Sequence, residues 1–248
     1  MNDYIDERML VANACRVLAV RGMVDDILGH VSLRIDDRTV LVRVRGPRER
    51  GLRYTSVDDV QAVELEGHAE LAEGYETPNE LPLHLEMLRR NPRVRAVVHA
   101  HPPAVVAFSL TGRALAPIVG AFNIPAMRMA RSGIPVHASS ALIRTQERAA
   151  AMADDIGDSP VGILRGHGLT SVGDSVAQAV VRALNVDTLA RMHLSILQAG
   201  AEPSVIDESD LVDLPDLGGA FNDGHVWRFL LQELAEKGLL LDAESGHG

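Results

Sequence analysis

Four shortages frame the reading of this 248-residue chain: one cysteine, few aromatics (3%), no excess of basic residues, and no uninterrupted apolar run of membrane length. A lone Cys15 excludes an internal disulfide framework, and its place among Val11, Ala14 and Leu18 reads as the core face of a helix in a reducing compartment. Lysine and arginine number 24 against 34 acids, a net charge of −10, so the chain offers no overall attraction to a phosphate backbone or an anionic membrane. Nucleic acid and membrane are therefore not expected partners. The N-terminal stretch MNDYIDERML carries acids where a secretory leader needs a basic start and an apolar run, so a cytoplasmic protein is expected. What is plentiful is apolar: 46% of residues, enough to fill the core of one domain of this length. The expectation is one domain over residues 1–248, with 202–248 as a C-terminal loop and helix extension.

The periodicity predicts mixed elements. Val11, Ala14, Cys15 and Leu18 mark a first helix stopped at Gly22. His30–Ile35 and Thr39–Val44 alternate as a hairpin across Asp36-Asp37-Arg38, followed by a polar loop, Arg45–Thr55. Ser56-Val57-Asp58-Asp59-Val60 reads as a helix start. Leu81, His84, Leu85 and Leu88 share one face of a helix that Pro92 closes, and Val94–His101 is a strand before the helix-opening Pro102-Pro103. Ile134–His137 forms a short strand, Gln146–Ile156 a helix, and Val161–Val172 a strand pair hinged at Gly166 and Gly168. Ser175–Gln198 is a long helix ended by Gly200, Glu202–Asp216 a loop, and His225–Lys237 a last helix. Without a strict βαβ rhythm or internal repeats, this predicts an α/β fold: a three-layer αβα domain with a mixed, largely antiparallel central sheet.

The chemistry concentrates in Val97-Val98-His99-Ala100-His101. Strand alternation projects His99 and His101 from one face, about 6 to 7 Å apart at the backbone, a spacing at which two imidazoles can grip one ion. Arg165-Gly166-His167-Gly168 ends another apolar strand and offers a third imidazole between residues that let backbones approach. Three histidines leave coordination positions open for water or substrate, as in catalytic metal sites. Taken singly, a buried histidine is usually a hydrogen-bonded core residue, and a first-turn acid such as Glu80 usually satisfies a helix dipole.

The ordered set is more specific than its pieces. His30-Val31-Ser32-Leu33-Arg34, then Asn79-Glu80 with His84 four residues on, then Val-Val-His99-Ala-His101-Pro, then Gly-His167-Gly-Leu resembles the class II aldolase/adducin family over roughly residues 8 to 200. The resemblance implies a class II aldolase-like fold and a carbon–carbon lyase whose divalent metal, Zn2+ or Mn2+, is held by His99, His101 and His167. It implies Glu80 as the acid/base and a homo-oligomer, commonly a tetramer. His84 shares its face with Leu81, Leu85 and Leu88 and reads as a packing residue. The phosphate-binding residues of the family's sugar-phosphate aldolases are not matched: His30, an arginine-rich loop and Pro78-Asn79 stand there instead. Substrate contacts are accordingly expected from His30, Ser32, Arg48, Arg50 and Asn79, with the arginine forks suited to carboxylate. The reaction expected is decarboxylation of a hydroxylated aromatic or heteroaromatic dicarboxylic acid. Retro-aldol cleavage of a hydroxy-sugar and a non-catalytic assembly role like that of adducin are the alternatives.

Overall fold

The computed structural model describes residues 3–242. Seven strands, β1 (His30–Arg34), β2 (Thr39–Arg43), β3 (Val60–Glu64), β4 (Ala96–Ala100), β5 (Val136–His137), β6 (Val161–Leu164) and β7 (Gly168–Gly173), form one sheet in the order β3-β2-β1-β4-β7-β6-β5. Every pairing is antiparallel except β5 with β6, so the sheet is mixed and largely antiparallel, as expected.

Alternation along the strands makes two apolar faces, and helices cover both. On one side Val31, Leu33, Leu41, Ala96, Val98 and Leu169 pack beneath α1 (Ile5–Val20), α3 (Pro103–Ser109), α4 (Ile124–Ser132), α6 (Val176–Gln198) and α7 (Val226–Glu236). On the other, Val40, Val42, Val63, Val97 and Val172 pack beneath α2 (Leu81–Arg90) and α5 (Gln146–Ile156). Three layers result. The helix ends are capped as their sequences indicate: Ser175 Oγ accepts from Gln178 N–H, Thr145 from Arg148, and Asn123 from Ala126. Asn13 ties the chain end to α1 by exchanging two hydrogen bonds of 2.9 Å with Leu241. Among the described residues, no helix is long and apolar enough to cross a membrane.

The expected helix start at Ser56–Val60 is corrected by the structure. Asp59 turns back to accept from the Ser56 N–H and hydroxyl, both at 2.8 Å, closing a local turn instead of a helix. Val60–Glu64 then alternates and pairs with β2 over five residues, from Thr39 opposite Glu64 to Arg43 opposite Val60. A serine three residues before an aspartate offers the same capping signal to a turn as to a helix, and the sheet edge decided between them. The sequence reading also passed over α4, whose Asn123-Ile124-Pro125 start carries both a cap and a proline in the first turn.

Candidate metal and catalytic centre

β4 is central and buried on both faces, and at its C-terminal end two-residue alternation sends the His99 and His101 rings toward the same side. Their Nε2 atoms lie 2.8 Å apart. His99 Nδ1 donates to the Leu169 carbonyl on β7 at 3.0 Å, which turns its Nε2 toward the site. The backbone N–H of His101 donates to Met23 O at 3.1 Å and fixes where the chain leaves the strand.

His167 arrives on the turn joining β6 to β7. Gly166 has φ +67°, the left-handed region glycine favours, and its N–H donates to Ser109 Oγ at the end of α3, at 2.9 Å. A Cβ on Gly168 would lie 2.2 Å from the Ala100 carbonyl oxygen, so only glycine allows this turn to press against the end of β4. The His167 ring consequently sits 5.0 Å from that of His99 and 4.7 Å from that of His101, centre to centre. Glu80 enters from the residue preceding α2. Its Oε1 accepts from Ile143 N–H at 2.8 Å, leaving Oε2 at 3.2 Å from His99 Nε2 and 3.5 Å from His167 Nε2.

One ligand atom from each of Glu80, His99, His101 and His167 thus falls within 4.8 Å of all the others. Burial alone would raise the Glu80 carboxyl, but the close approach of the His167 and His99 rings and the hydrogen bond from Ile143 N–H outweigh it, so the group is held ionised, well below the usual carboxylate range. His101 is pushed down to about 3 by burial and by the neighbouring His99 and His167 rings, which keeps it neutral and able to donate a lone pair. Neither ring nitrogen of buried His167 has a well-formed hydrogen bond. Burying uncompensated ring nitrogens is costly, and three imidazoles with one carboxylate converging on a point answer that cost if a divalent cation binds there. The residues present fit the metal that the sequence implied.

The other expected substrate contacts divide by location. His30 is buried at the start of β1, directly opposite His99, with its ring stacked on that of His99 at 5.5 Å. Ser32 is fully buried, and its hydroxyl lies 2.7 Å from His84 Nδ1, so it meets the site through His84. Arg48, Arg50 and Asn79 are exposed, and the Arg50 guanidinium lies 5.5 Å above the Tyr54 ring. His84, read from the sequence as a packing residue, is buried and lies beside His30, with ring centres 5.6 Å apart. The i, i+4 spacing of Glu80 and His84 is part of the pattern read in the sequence, where the apolar neighbours Leu81, Leu85 and Leu88 argued for packing. Sequence reasoning missed Ile143, whose backbone N–H aims Glu80 but whose side chain carries no chemistry a sequence would advertise.

The chain matches the family described as Class II Aldolase and Adducin N-terminal domain over residues 9–194. It belongs to the class II aldolase/adducin family. Among curated proteins, it is 51% identical to a 3,4-dihydroxyphthalate decarboxylase of Arthrobacter keyseri, covering 92% of this chain and 94% of that one. Enzymes of the same name from Terrabacter sp. (strain DBF63) and Rhodococcus jostii (strain RHA1) are 52% and 46% identical, each over 91% of this chain and 95% of theirs. Among solved structures, an aldolase II superfamily protein from Pseudomonas syringae superposes with a TM-score of 0.79 at 19% identity, covering 95% of this chain and 94% of that one. An L-fuculose 1-phosphate aldolase from Glaciozyma antarctica PI12 superposes with a TM-score of 0.75, also at 19% identity, over 95% and 91%. At that identity the structures establish the shared class II aldolase fold.

Proposed function

We propose that this protein is a divalent-metal-dependent decarboxylase of a hydroxylated aromatic dicarboxylic acid, with 3,4-dihydroxyphthalate as its substrate. The observation that supports this reading is the convergence of Glu80, His99, His101 and His167 in a chain about half identical to three such decarboxylases. His99, His101 and His167 would hold a zinc or manganese ion, which would supply a Lewis acid against negative charge on the substrate's hydroxyl and neighbouring carboxylate oxygens.

Glu80, ionised and braced by the Ile143 N–H, takes the proton of that hydroxyl. It delivers the proton to the ring carbon bearing the departing carboxylate. The carbon–carbon bond breaks, its electron pair restores the aromatic ring, and carbon dioxide leaves. The remaining phenolate recovers a proton from water. Arg48 and Arg50, exposed on the loop after β2, and Asn79 beside Glu80 receive the second carboxylate. The same reading places the enzyme in the cytoplasm as a homotetramer; exposed Phe122, Leu217, Phe221 and Phe229 give it apolar surface for self-association.

The test is carbon dioxide release from 3,4-dihydroxyphthalate by protein loaded with zinc or manganese, alongside metal analysis. Stoichiometric metal, carbon dioxide and a dihydroxybenzoate product are expected. Cleavage of a hydroxy-sugar into two carbonyl fragments, with the dicarboxylate untouched, would replace the reading by retro-aldol chemistry. Inertness toward both with no bound metal would replace it by a non-catalytic role.

A further inference from the structure

Beside the four converging ligand groups lie two more buried imidazoles that the reaction above does not use. His30 and Ser32 stand two residues apart on β1 and face α2 together, and His84 descends from α2 between them. Ser32 Oγ meets His84 Nδ1 at 2.7 Å. The His84 and His30 ring centres lie 5.6 Å apart with the planes 69° to one another, and the His30 ring stacks on that of His99 at 5.5 Å and 21°. Two atoms in this run are buried without a hydrogen-bond partner, His84 Nε2 and His30 Nδ1, and they belong to adjoining rings. Unpaired buried nitrogens on neighbouring rings are costly, and their cost disappears when the rings close on one another.

We propose that Ser32, His84 and His30 form a hydrogen-bonded series that fixes His30 with its Nε2–H toward the substrate, where it donates to the ring hydroxyl farther from the departing carboxylate. The series runs from the Ser32 hydroxyl to His84 Nδ1, from His84 Nε2–H to His30 Nδ1, and from His30 Nε2–H to the substrate. Each imidazole is then neutral with one proton, and each buried nitrogen is paired. His30 is the specificity-determining contact; His84 and Ser32 are positioning residues. A hydroxyl fits better than the second carboxylate, because a neutral donor in a buried position does not compensate a full negative charge. Burial first, and then the neighbouring His99 and His84 rings, hold His30 well below the ordinary histidine value, in agreement with a neutral ring.

This inference rests on the decarboxylase reading, so its test carries a readout that survives the failure of that reading. Metal-loaded protein is compared on 3,4-dihydroxyphthalate and on 3-hydroxyphthalate, which lacks the second hydroxyl. In parallel, calorimetry compares the product analogues 3,4-dihydroxybenzoate and 3-hydroxybenzoate. A site built around a hydrogen bond rejects the analogue lacking it, so a preference of about a hundredfold in kcat/KM and at least about tenfold in binding is expected. His30→Ala should collapse both preferences to within about threefold by losing the dihydroxy compound alone, with metal content unchanged. His30→Asn, which retains a donor, should restore part of the preference. Ser32→Ala should lower the preference mainly through KM, again with metal retained. Equal binding of the two benzoates by the unaltered protein, or a preference that persists in a metal-loaded His30→Ala variant, overturns the assignment of His30. A full preference in Ser32→Ala overturns the series. If neither phthalate releases carbon dioxide while the benzoates are still discriminated through His30, the reaction assignment fails and this one stands.

Discussion

Replacing Gly168 by alanine tests whether the contact between the β6–β7 turn and the end of β4 assembles the metal centre. The added Cβ would fall 2.2 Å from the Ala100 carbonyl oxygen and 3.0 Å from His101 Cδ2. The first of these is backbone, so no rotamer change relieves it, and the two strands must part by roughly 1 Å to reach ordinary contact. Parting them strains the Ala100–Leu169 pairing and the 3.0 Å bond from His99 Nδ1 to Leu169 O, while shifting His167 away from His99 and His101. Overpacking of this kind costs about 1 to 3 kcal/mol. For a chain of this size that lowers the melting temperature of the metal-free protein by roughly 2 to 12 °C. Loss of an orienting hydrogen bond to a ligand histidine weakens metal binding by about 10- to 100-fold. Thermal unfolding without metal, together with competition against a chromophoric chelator, measures both effects. Gly224→Ala is the control, since its Cβ would meet nothing closer than 4.0 Å and should be silent. Unchanged melting and metal affinity in Gly168→Ala would refute the reasoning that backbone proximity at this turn builds the site.

Alanine at His99, His101 or His167 should remove most bound divalent ion and all turnover, because two imidazoles and a carboxylate hold little of the geometry; stoichiometric metal in any variant would remove that histidine from the ligand set. Glu80→Gln keeps an oxygen to accept from Ile143 N–H but loses the group that carries the proton, so metal should remain while kcat falls at least about a hundredfold. Methionine at Arg48 or Arg50 should raise KM for the dicarboxylate by roughly thirty- to hundredfold, the loss of about 2 to 3 kcal/mol expected for a charge-assisted fork, with little effect on a monocarboxylate and none on metal. Silence of both substitutions would place the second carboxylate elsewhere.

Much of this protein was legible from local pattern. The helix over Gln146–Ile156, the helix over Ser175–Gln198 with its closing Gly200, and the hinge between β6 and β7 at Gly166 and Gly168 were read at these places. These features depend on residues close in sequence, where dihedral preference and alternation act directly. His99 and His101 were readable for the same reason, since alternation along one strand pairs them. That His167 and Glu80 join them rested on the family likeness, because local periodicity contains no distance between β4, the β6–β7 turn and the start of α2.

Tertiary structure decided what long-range pairing controls. Val60–Glu64 became a strand because β2 offered it five partners, although Ser56 and Asp59 carried a helix-capping signal. The cross-strand register set His30 opposite His99 and so placed it beside the centre, while Arg48 and Arg50 were left on the surface. Ile143 shows the limit most plainly. It acts on Glu80 through a backbone N–H, a group every residue but proline has, so its role depends on where the fold puts it and not on which side chain it bears.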